Sequence, residues 1–271
     1  MAGIESFAGS GGDAILPKEE RDIERSKKNF EQAAGSVAVL VEAAHGLAVP
    51  EQTKQQWKVL MSAIRIVDDR IDHSRTIAER EALTARIKAS LQGQVVDFSD
   101  DLDLHQAMYD VAQLSAEIGG ERAHFLHTLL SLILRVTEDI KIESDPDKLI
   151  RLTLVEGQIT GKLFLPFLPP EFKDTKEYQK LVYTLSRFGR GANTFDTFVD
   201  MQTDYKNGAL QVKPTILNRV LFLGAALVNG VETVRNTGLP LKLAKELAWG
   251  TKATLENGSE KKKKAKQSEV S

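Results

Sequence analysis

Residues 181–206 read LVYTLSRFGRGANTFDTFVDMQTDYK, and the apolar positions in this stretch recur every three or four residues. The stripe that they form consists of Leu181, Leu185, Phe188, Ala192, Phe195 and Val199. A period near 3.6 is typical of an amphipathic helix, whereas a half-buried strand alternates at every second residue. The stretch therefore predicts one long helix that packs against a core by its apolar face.

The same three- and four-residue period recurs through most of the chain. It predicts helices over residues 18–44, 51–73, 77–91, 102–118, 122–142, 147–163, 175–205, 213–235 and 239–255. Proline and glycine interrupt the pattern sparsely, and residues 166–170 form the clearest predicted loop. Because no stretch alternates in the manner of a strand, we predict an all-α fold, a single-domain helical bundle.

The composition bounds the domain organisation and excludes several kinds of site. The 271 residues suffice for one large core, because single cores grow to about 250–300 residues before chains divide. We predict a disordered N-terminal segment over residues 1–16, a helical domain over residues 17–256 and a basic disordered tail over residues 257–271. The lack of cysteine excludes disulfides, thiolate metal sites and cysteine nucleophiles.

Charge and hydropathy indicate the surroundings of the protein. Lys and Arg number 36 and Asp and Glu number 38, so nothing in the net charge points to a nucleic acid partner. The first residues lack the basic and apolar regions of a secretory signal, which favours a cytoplasmic protein. The apolar runs at residues 129–134 and 220–228 are shorter than the roughly 20 residues that span a bilayer, so we interpret them as core helices. The lysines at positions 261–264 and 266 predict a solvated tail or a peripheral contact with an anionic membrane surface.

Four oxygen-bearing side chains follow one ridge of the helix predicted over residues 175–205. Asn193, Asp196, Asp200 and Asp204 lie within an arc of about 80° on a helix of 3.6 residues per turn. Like charges at a spacing of four destabilise an isolated helix, so their repetition indicates a gain from another source. The ridge flanks the apolar stripe, which indicates that these carboxylates lie at the edge of a core.

A second acidic group lies in residues 61–76, MSAIRIVDDRIDHSRT, and consists of Asp68, Asp69 and Asp72. Asp68 and Asp72 project about 40° apart, one turn above the other, so the pair can share a cation. The apolar stripe that they flank consists of Leu60, Ile64, Val67 and Ile71. Carboxylates beside an apolar stripe on two helices predict the mouth of an apolar cavity.

The ligand chemistry of both groups favours magnesium. Mg²⁺ prefers oxygen ligands, keeps several waters and uses one or two carboxylates beside substrate phosphates. The lack of cysteine and the small number of histidines argue against zinc and copper. The predicted metal ligands are Asp68, Asp69, Asp72, Asp196, Asp200 and Asp204. The alternative is a solvated acidic face, which is what most charge runs are.

The two groups and the segment between them resemble the squalene and phytoene synthase family of class I isoprenoid synthases, over about residues 50–214. Arg65, Asp68 and Asp72 match the first motif, R-x-x-D-x-x-x-D. Gly157 and Gly161 in VEGQITG resemble the glycine-containing helix of the family. The second motif, Q-x-x-N-x-x-x-D-x-x-x-D with a following Gly and Pro, is matched by Asn193, Asp196, Asp200, Asp204, Gly208 and Pro214.

The resemblance implies a class I isoprenoid synthase bundle around a central apolar cavity, with Mg²⁺ as cofactor and a C15 or C20 prenyl diphosphate as substrate. It implies catalytic roles for Asp68, Asp72, Asp200 and Asp204, which would hold the metal that ionises the substrate. Val199 stands where the family usually has Arg, Asp196 stands where it usually has Asn, and the tyrosines expected ahead of Gly157 are absent. The missing arginine and the missing tyrosines leave two kinds of reaction open, which are the coupling of two substrates and the conversion of a single one.

Substrate contacts are predicted from position along the helices. Arg65 and Arg190 each precede an acidic group by about one turn, so we predict that they bind diphosphate. Phe188 is near enough in sequence to shield a carbocation. Asn193 and Gly157 complete the predicted substrate-binding set. Gly157 and Gly161 within a helix cost about 1 kcal/mol each relative to Ala, which predicts close helix packing or a local break.

Two alternatives from other classes stay open. A non-catalytic relative could keep the fold as a scaffold or assembly protein. A di-iron carboxylate bundle needs Glu-x-x-His twice, and only Glu121 and His124 supply that motif. Both a monomer and a homodimer are compatible with the sequence.

Overall fold

The computed structural model of the protein describes residues 34–74 and 76–238. Within these ranges all regular structure is helical and no strand is present, which confirms the predicted all-α class. The α-helices are α1 (Ala34–His45, described from Ala34 onward), α2 (Glu51–Asp72), α3 (Ile77–Leu91), α4 (Leu102–Ile118), α5 (Gly120–Ile142), α6 (Pro146–Lys162), α7 (Pro170–Lys173), α8 (Glu177–Lys206) and α9 (Ile216–Thr237). The predictions for residues 1–16, 239–255 and 257–271 lie outside the described residues.

Local chemistry explains where several helices begin. α2 begins at Glu51 directly after Pro50, and α6 begins at Pro146 directly after Asp145. The Asp145 carboxylate accepts hydrogen bonds from the backbone N–H groups of Asp147 (2.9 Å) and Lys148 (3.4 Å). Such a cap satisfies donors that the first helical turn leaves unpaired. The loop predicted at residues 166–170 is only partly correct, because a 3₁₀ turn, Leu165–Phe167, and the short α7 occupy this region.

The main core lies where α2 meets the segment after α6. Trp57 of α2 is completely buried, and its indole N–H donates a hydrogen bond to the carbonyl oxygen of Phe164 at 3.1 Å. The ring of Phe164 meets the Trp57 ring edge to face, with 5.3 Å between centroids. This contact joins α2 to the segment that follows α6.

The α6 and α8 helices cross at glycines. A β-carbon added to Gly157 would lie 2.9 Å from the Cα of Arg190, and still closer to the carbonyl oxygen of Gly189. Gly161 faces the Leu185 carbonyl group in the same manner, and Gly189 faces that of Gly157. α6 continues without interruption through both of its glycines. Close helix packing, rather than a local break, is therefore the reason for them.

The apolar stripe predicted for α8 is correct only in its first half. Leu181 and Leu185 are completely buried, but Ala192 is exposed. In the second half the helix instead buries a small face that includes Gly191 and Thr194. The physical reason is α9, whose backbone at Ala226 and Gly230 comes within 3.4 Å of a β-carbon built on Gly191.

α9 departs from the prediction that residues 220–228 form a core helix. Phe222 and Ala226 are buried, whereas Val220 and Val228 are 57% and 60% exposed. Among the described helices, α9 is the one whose length and composition would permit it to cross a membrane. Only 22% of its most apolar 18-residue window is buried within the protein. Its outward face is therefore apolar and uncovered by the described residues.

Candidate active site in an aspartate-lined cavity

A cavity of about 290 Å³ lies between α2, α3, α4, α5, α6 and α8. Most of its wall is aliphatic, with side chains such as Ile64, Val67, Ile71, Leu130 and Leu134. The polar side chains that line it are Asp68, Asp72, Thr137, Lys141, Glu156, Thr160, Asn193, Asp196, Thr197 and Asp204. The arrangement combines an apolar recess with a concentrated group of carboxylates.

Aspartates from both predicted groups line this one cavity. Asp68 and Asp72 enter it from α2, and Asp196 and Asp204 enter it from α8. Their charges interact across the gap, because Asp68 raises the pKa of Asp196, and Asp72 raises the pKa of Asp204. Two ridges that are more than 100 residues apart in the chain therefore form one electrostatic site.

Burial and mutual repulsion raise the pKa values of three of these carboxyl groups from the ordinary value of 3.8. Burial, followed by the charges of Asp200 and Asp204, raises the pKa of Asp196 to about 7. Burial and the Asp72 charge raise the pKa of Asp68 to about 6, and burial and the Asp200 charge raise that of Asp204 to about 6. Asp72 and Asp196 are exposed and Asp68 and Asp204 are half-buried, so repulsion among these neighbouring carboxylates adds to the effect of the surrounding protein. A cation in the recess would relieve the repulsion.

Lys141 of α5 supplies the positive charge within the cavity. Its side chain is only 8% exposed, and its ammonium donates a hydrogen bond to the Asp72 carboxylate. The same charge lowers the pKa values of Asp68, Glu156 and Asp204, although it does not outweigh burial at any of them. Lys141 therefore lies among carboxylates from α2, α6 and α8.

Glu156 of α6 occupies the inner polar part of the cavity. The side-chain hydroxyl of Thr137 donates to one of its carboxylate oxygens, and the Asn193 amide donates to the other at 2.7 Å. Burial nevertheless raises the pKa of Glu156. Asn193 also donates to the Thr153 carbonyl oxygen at 3.2 Å, so its amide bridges α8 to α6. This network holds the orientation of both side chains.

Two of the predicted metal ligands do not line the cavity. Asp69 is 7% exposed, and its carboxylate pairs with Arg70 at 3.0 Å and with Arg65 at 3.6 Å. Asp69 is thus engaged in ion pairs outside the cavity lining, and its role as a metal ligand stays a prediction. Asp200 is exposed and lies outside the cavity lining, but its charge acts on Asp196 and Asp204.

The two arginines predicted to bind diphosphate are engaged elsewhere. Arg65 donates to Asp68 at 2.9 Å and does not itself line the cavity. Arg190 donates to the Gln158 side chain on α6, and burial beside Arg187 lowers its pKa. Arg190 lies outside the cavity lining, on a face of α8 that meets Gln158 of α6, and its contact with diphosphate stays a prediction.

Of the three remaining residues predicted to contact the substrate, one lines the cavity and two do not. Asn193 lines the cavity, whereas Gly157 lies at the crossing of α6 and α8 and Phe188 packs against the main core. None of the described side chains that line the cavity is aromatic. The described wall therefore offers no aromatic ring face to a carbocation.

Sequence reasoning missed Lys141 and left Glu156 undecided between the site and water. A signal for Lys141 exists, because Leu130, Leu134, Thr137 and Lys141 follow one helical stripe at spacings of four, three and four. A lysine at a core position of an amphipathic helix indicates a buried charge with a partner. No comparable signal distinguishes Glu156 from its exposed neighbours.

The cavity carboxylates fit magnesium in donor type and in charge. Within residues 34–74 and 76–238, no group of three or more His, Asp or Glu side chains is arranged to hold a metal ion alone. Mg²⁺ does not require such a group, since it commonly takes one or two carboxylates, several waters and phosphate oxygens. Asp68, Asp72, Asp196 and Asp204 are the residues that would hold it.

The di-iron alternative has no support in the described residues. Glu121 and His124 are both exposed near the start of α5, and neither lines the cavity.

Comparisons of the chain with known protein families, with characterised proteins and with solved structures find no match.

Proposed function

We propose that the protein is a magnesium-dependent isoprenoid synthase that ionises a prenyl diphosphate and releases diphosphate. The observation that carries the proposal is the convergence of Asp68 and Asp72 with Asp196 and Asp204 on one aliphatic cavity. An apolar chain with an anionic diphosphate head matches such a site, because the wall suits the hydrocarbon and the carboxylates recruit the cation that the head requires.

Each part of the cavity has a role in this proposal. Bound Mg²⁺ would neutralise the charge that develops on the leaving diphosphate. Asp68, Asp72, Asp196 and Asp204 would hold the metal at the mouth, and the Lys141 ammonium would add a hydrogen-bond donor for diphosphate oxygens. The aliphatic wall excludes water from the cation that departure of the diphosphate leaves behind.

We further propose that the substrate is a single prenyl diphosphate. The cavity volume of about 290 Å³ is at the low end of the range of roughly 300–1,000 Å³ for small-molecule sites. Two C15 chains together would need considerably more room than one. Val199, which stands in place of the expected arginine, is consistent with a reaction other than the coupling of two substrates.

One observation favours a non-catalytic binding protein as the second candidate. Lys141 already contacts Asp72, and Arg65 contacts Asp68, so the two carboxylates of α2 that line the cavity have protein cations as partners. A protein that only binds a prenyl chain needs no metal in that position. The two candidates differ in one measurable property, which is the release of diphosphate.

The test is incubation of the full chain with Mg²⁺ and C10, C15 or C20 diphosphate, with detection of released pyrophosphate and of products by mass spectrometry. We expect magnesium-dependent release that Asp68→Asn and Asp204→Asn abolish. Asp139→Asn is the matched control, because Asp139 is exposed on α5 and lies outside the cavity lining. Tight binding of a prenyl diphosphate without release would establish the second candidate instead.

A further inference from the structure

The outward face of α9 forms a continuous apolar stripe. Seven of its side chains are between 40% and 85% exposed: Ile216, Leu217, Val220, Leu221, Leu227, Val228 and Val231. Their spacing places them on one side of the helix, opposite the buried Phe222, Ala226, Asn229 and Thr233. A helix that packs by one face normally presents polar residues on the other face. The stripe therefore requires an apolar partner.

The packing of α9 determines how it can meet that partner. Its inner face lies on α8, where Arg187 donates to the Asn229 side chain at 3.2 Å and Tyr183 donates to Glu232 at 3.3 Å. Crossing a bilayer would expose these polar groups to hydrocarbon, which is costly. α9 can instead lie in the plane of a lipid surface with only its outward stripe among the acyl chains.

The charge of the sequence after α9 selects between a lipid surface and a second copy of the chain. Residues 257–271 carry five lysines and two glutamates, a net charge of +3. A second copy of the chain carries the same positive charge and would gain nothing from these lysines, because like charges repel each other. An anionic lipid surface attracts the same lysines, and each lysine near the surface strengthens binding about fivefold.

The chain length permits both contacts at once. Residues 239–260 connect the end of α9 to the first lysine of the run at position 261, and each residue can span up to about 3.5 Å. Stable attachment to a membrane usually takes two signals, such as an apolar insertion and a basic segment. The outward stripe of α9 and the lysines of residues 261–266 supply one of each.

We propose that the outward stripe of α9 is a peripheral docking surface for anionic lipid bilayers, assisted by the lysine run. The proposal goes beyond the enzymatic function and does not depend on it, since docking needs neither metal nor prenyl diphosphate. A lipid surface is also where long prenyl chains partition, so docking would bring the protein to a source of apolar ligands.

Co-sedimentation of the full chain with vesicles tests the proposal. We expect binding to anionic vesicles of phosphatidylcholine with about 30% phosphatidylserine. Binding to vesicles of pure phosphatidylcholine should be weak. Val228→Gln with Val231→Gln should reduce the partition coefficient about tenfold or more, because two inserting apolar side chains are lost. Leu102→Gln is the matched control, since Leu102 is 79% exposed at the start of α4 and should leave binding unchanged.

Other occupants of the stripe would give different results. If a second copy covers it, Val228→Gln with Val231→Gln will convert a dimer to a monomer in light scattering and leave vesicle binding unchanged. If residues 239–256 cover it, the double variant will lower the melting temperature without affecting vesicle binding. Either result overturns the proposal, as does failure of the wild-type protein to bind anionic vesicles.

Discussion

Lys141 on α5 donates a hydrogen bond to Asp72 on α2, and this contact places an ammonium ion among the carboxylates of the candidate site. Three other carboxyl groups sense the same charge, since it lowers the pKa values of Asp68, Glu156 and Asp204. In the absence of a metal ion, Lys141 is thus the counter-charge inside the cavity. Its removal should affect stability and metal binding in opposite directions.

Lys141→Met should lower the melting temperature without Mg²⁺, because Asp72 loses its partner and repulsion among the carboxylates grows. A double-mutant cycle with Asp72→Asn should give a coupling of about 0.5–3 kcal/mol. Lys88→Met is the control, since Lys88 pairs with Glu138 at 2.8 Å with both side chains 32% exposed, where coupling is about 0–1 kcal/mol. Isothermal titration of Lys141→Met should show tighter Mg²⁺ binding than wild type. Unchanged stability and unchanged metal affinity would contradict this role.

Asp196, which lines the cavity, and Asp69, which pairs with arginines, should respond oppositely to substitution with Asn. Asp196→Asn removes a charge that burial and three other aspartates disfavour, so thermal stability without Mg²⁺ should hold or rise. Asp69→Asn should cost about 1–3 kcal/mol, because it weakens buried ion pairs with Arg65 and Arg70. Chemical denaturation of both variants in a metal-free buffer measures the difference. If Asp196→Asn lost as much stability as Asp69→Asn, the charge of Asp196 would not be disfavoured in the folded protein, and the proposed repulsion among the cavity carboxylates would be excluded.

The raised pKa values predict the direction of a pH dependence. Asp68, Asp196 and Asp204 titrate at about 6, 7 and 6 in the folded protein, against 3.8 ordinarily. Between these limits the folded state binds more protons than the unfolded state, so stability falls as pH rises from about 4 to 7. The stability that these three groups contribute by binding protons in the folded state is fully present below about pH 4 and is lost above about pH 7.

The measurement is the melting temperature from pH 5 to pH 8 at constant ionic strength, with Mg²⁺ absent. Because other groups titrate in this range, the quantity to compare is the difference between wild type and Asp196→Asn. Wild type should lose stability relative to the variant as pH rises. A difference that stays constant, or that changes sign in the other direction, would show that Asp196 ionises at its ordinary pKa.

The crossing of α6 and α8 should not tolerate even one added methyl group. Gly189→Ala would place a β-carbon against the Gly157 carbonyl group and 2.9 Å from the Gly161 nitrogen, so we expect a loss of about 1–3 kcal/mol. Gly224→Ala is the matched helical control, since nothing lies within 4 Å of the added β-carbon. It should stabilise the protein by up to about 1 kcal/mol through helix propensity. Equal effects of the two substitutions on urea denaturation would contradict the close crossing.

The periodicity of the sequence was sufficient to predict that the chain is helical and to predict which carboxylates share one ridge of a helix. The spacing of Asp68 from Asp72, and of Asp196 from Asp204, follows from helix geometry alone and holds in any packing. These features depend on residues within one or two turns of each other. The cost of the glycines in α6 indicated either close packing or a local break, and only the crossing with α8 decided for close packing.

Which of those side chains reach the cavity depends on contacts that no single helix contains. Asp69 is adjacent to Asp68, yet it pairs with Arg65 and Arg70 while Asp68 lines the cavity. Arg190 turns toward α6, and Lys141 arrives from a helix about 70 residues beyond Asp72. The period of a helix defines its faces but not the neighbour that covers each face. That choice is made by the packing of α5, α6, α8 and α9 around one another, which buries apolar surface that no single helix can bury alone.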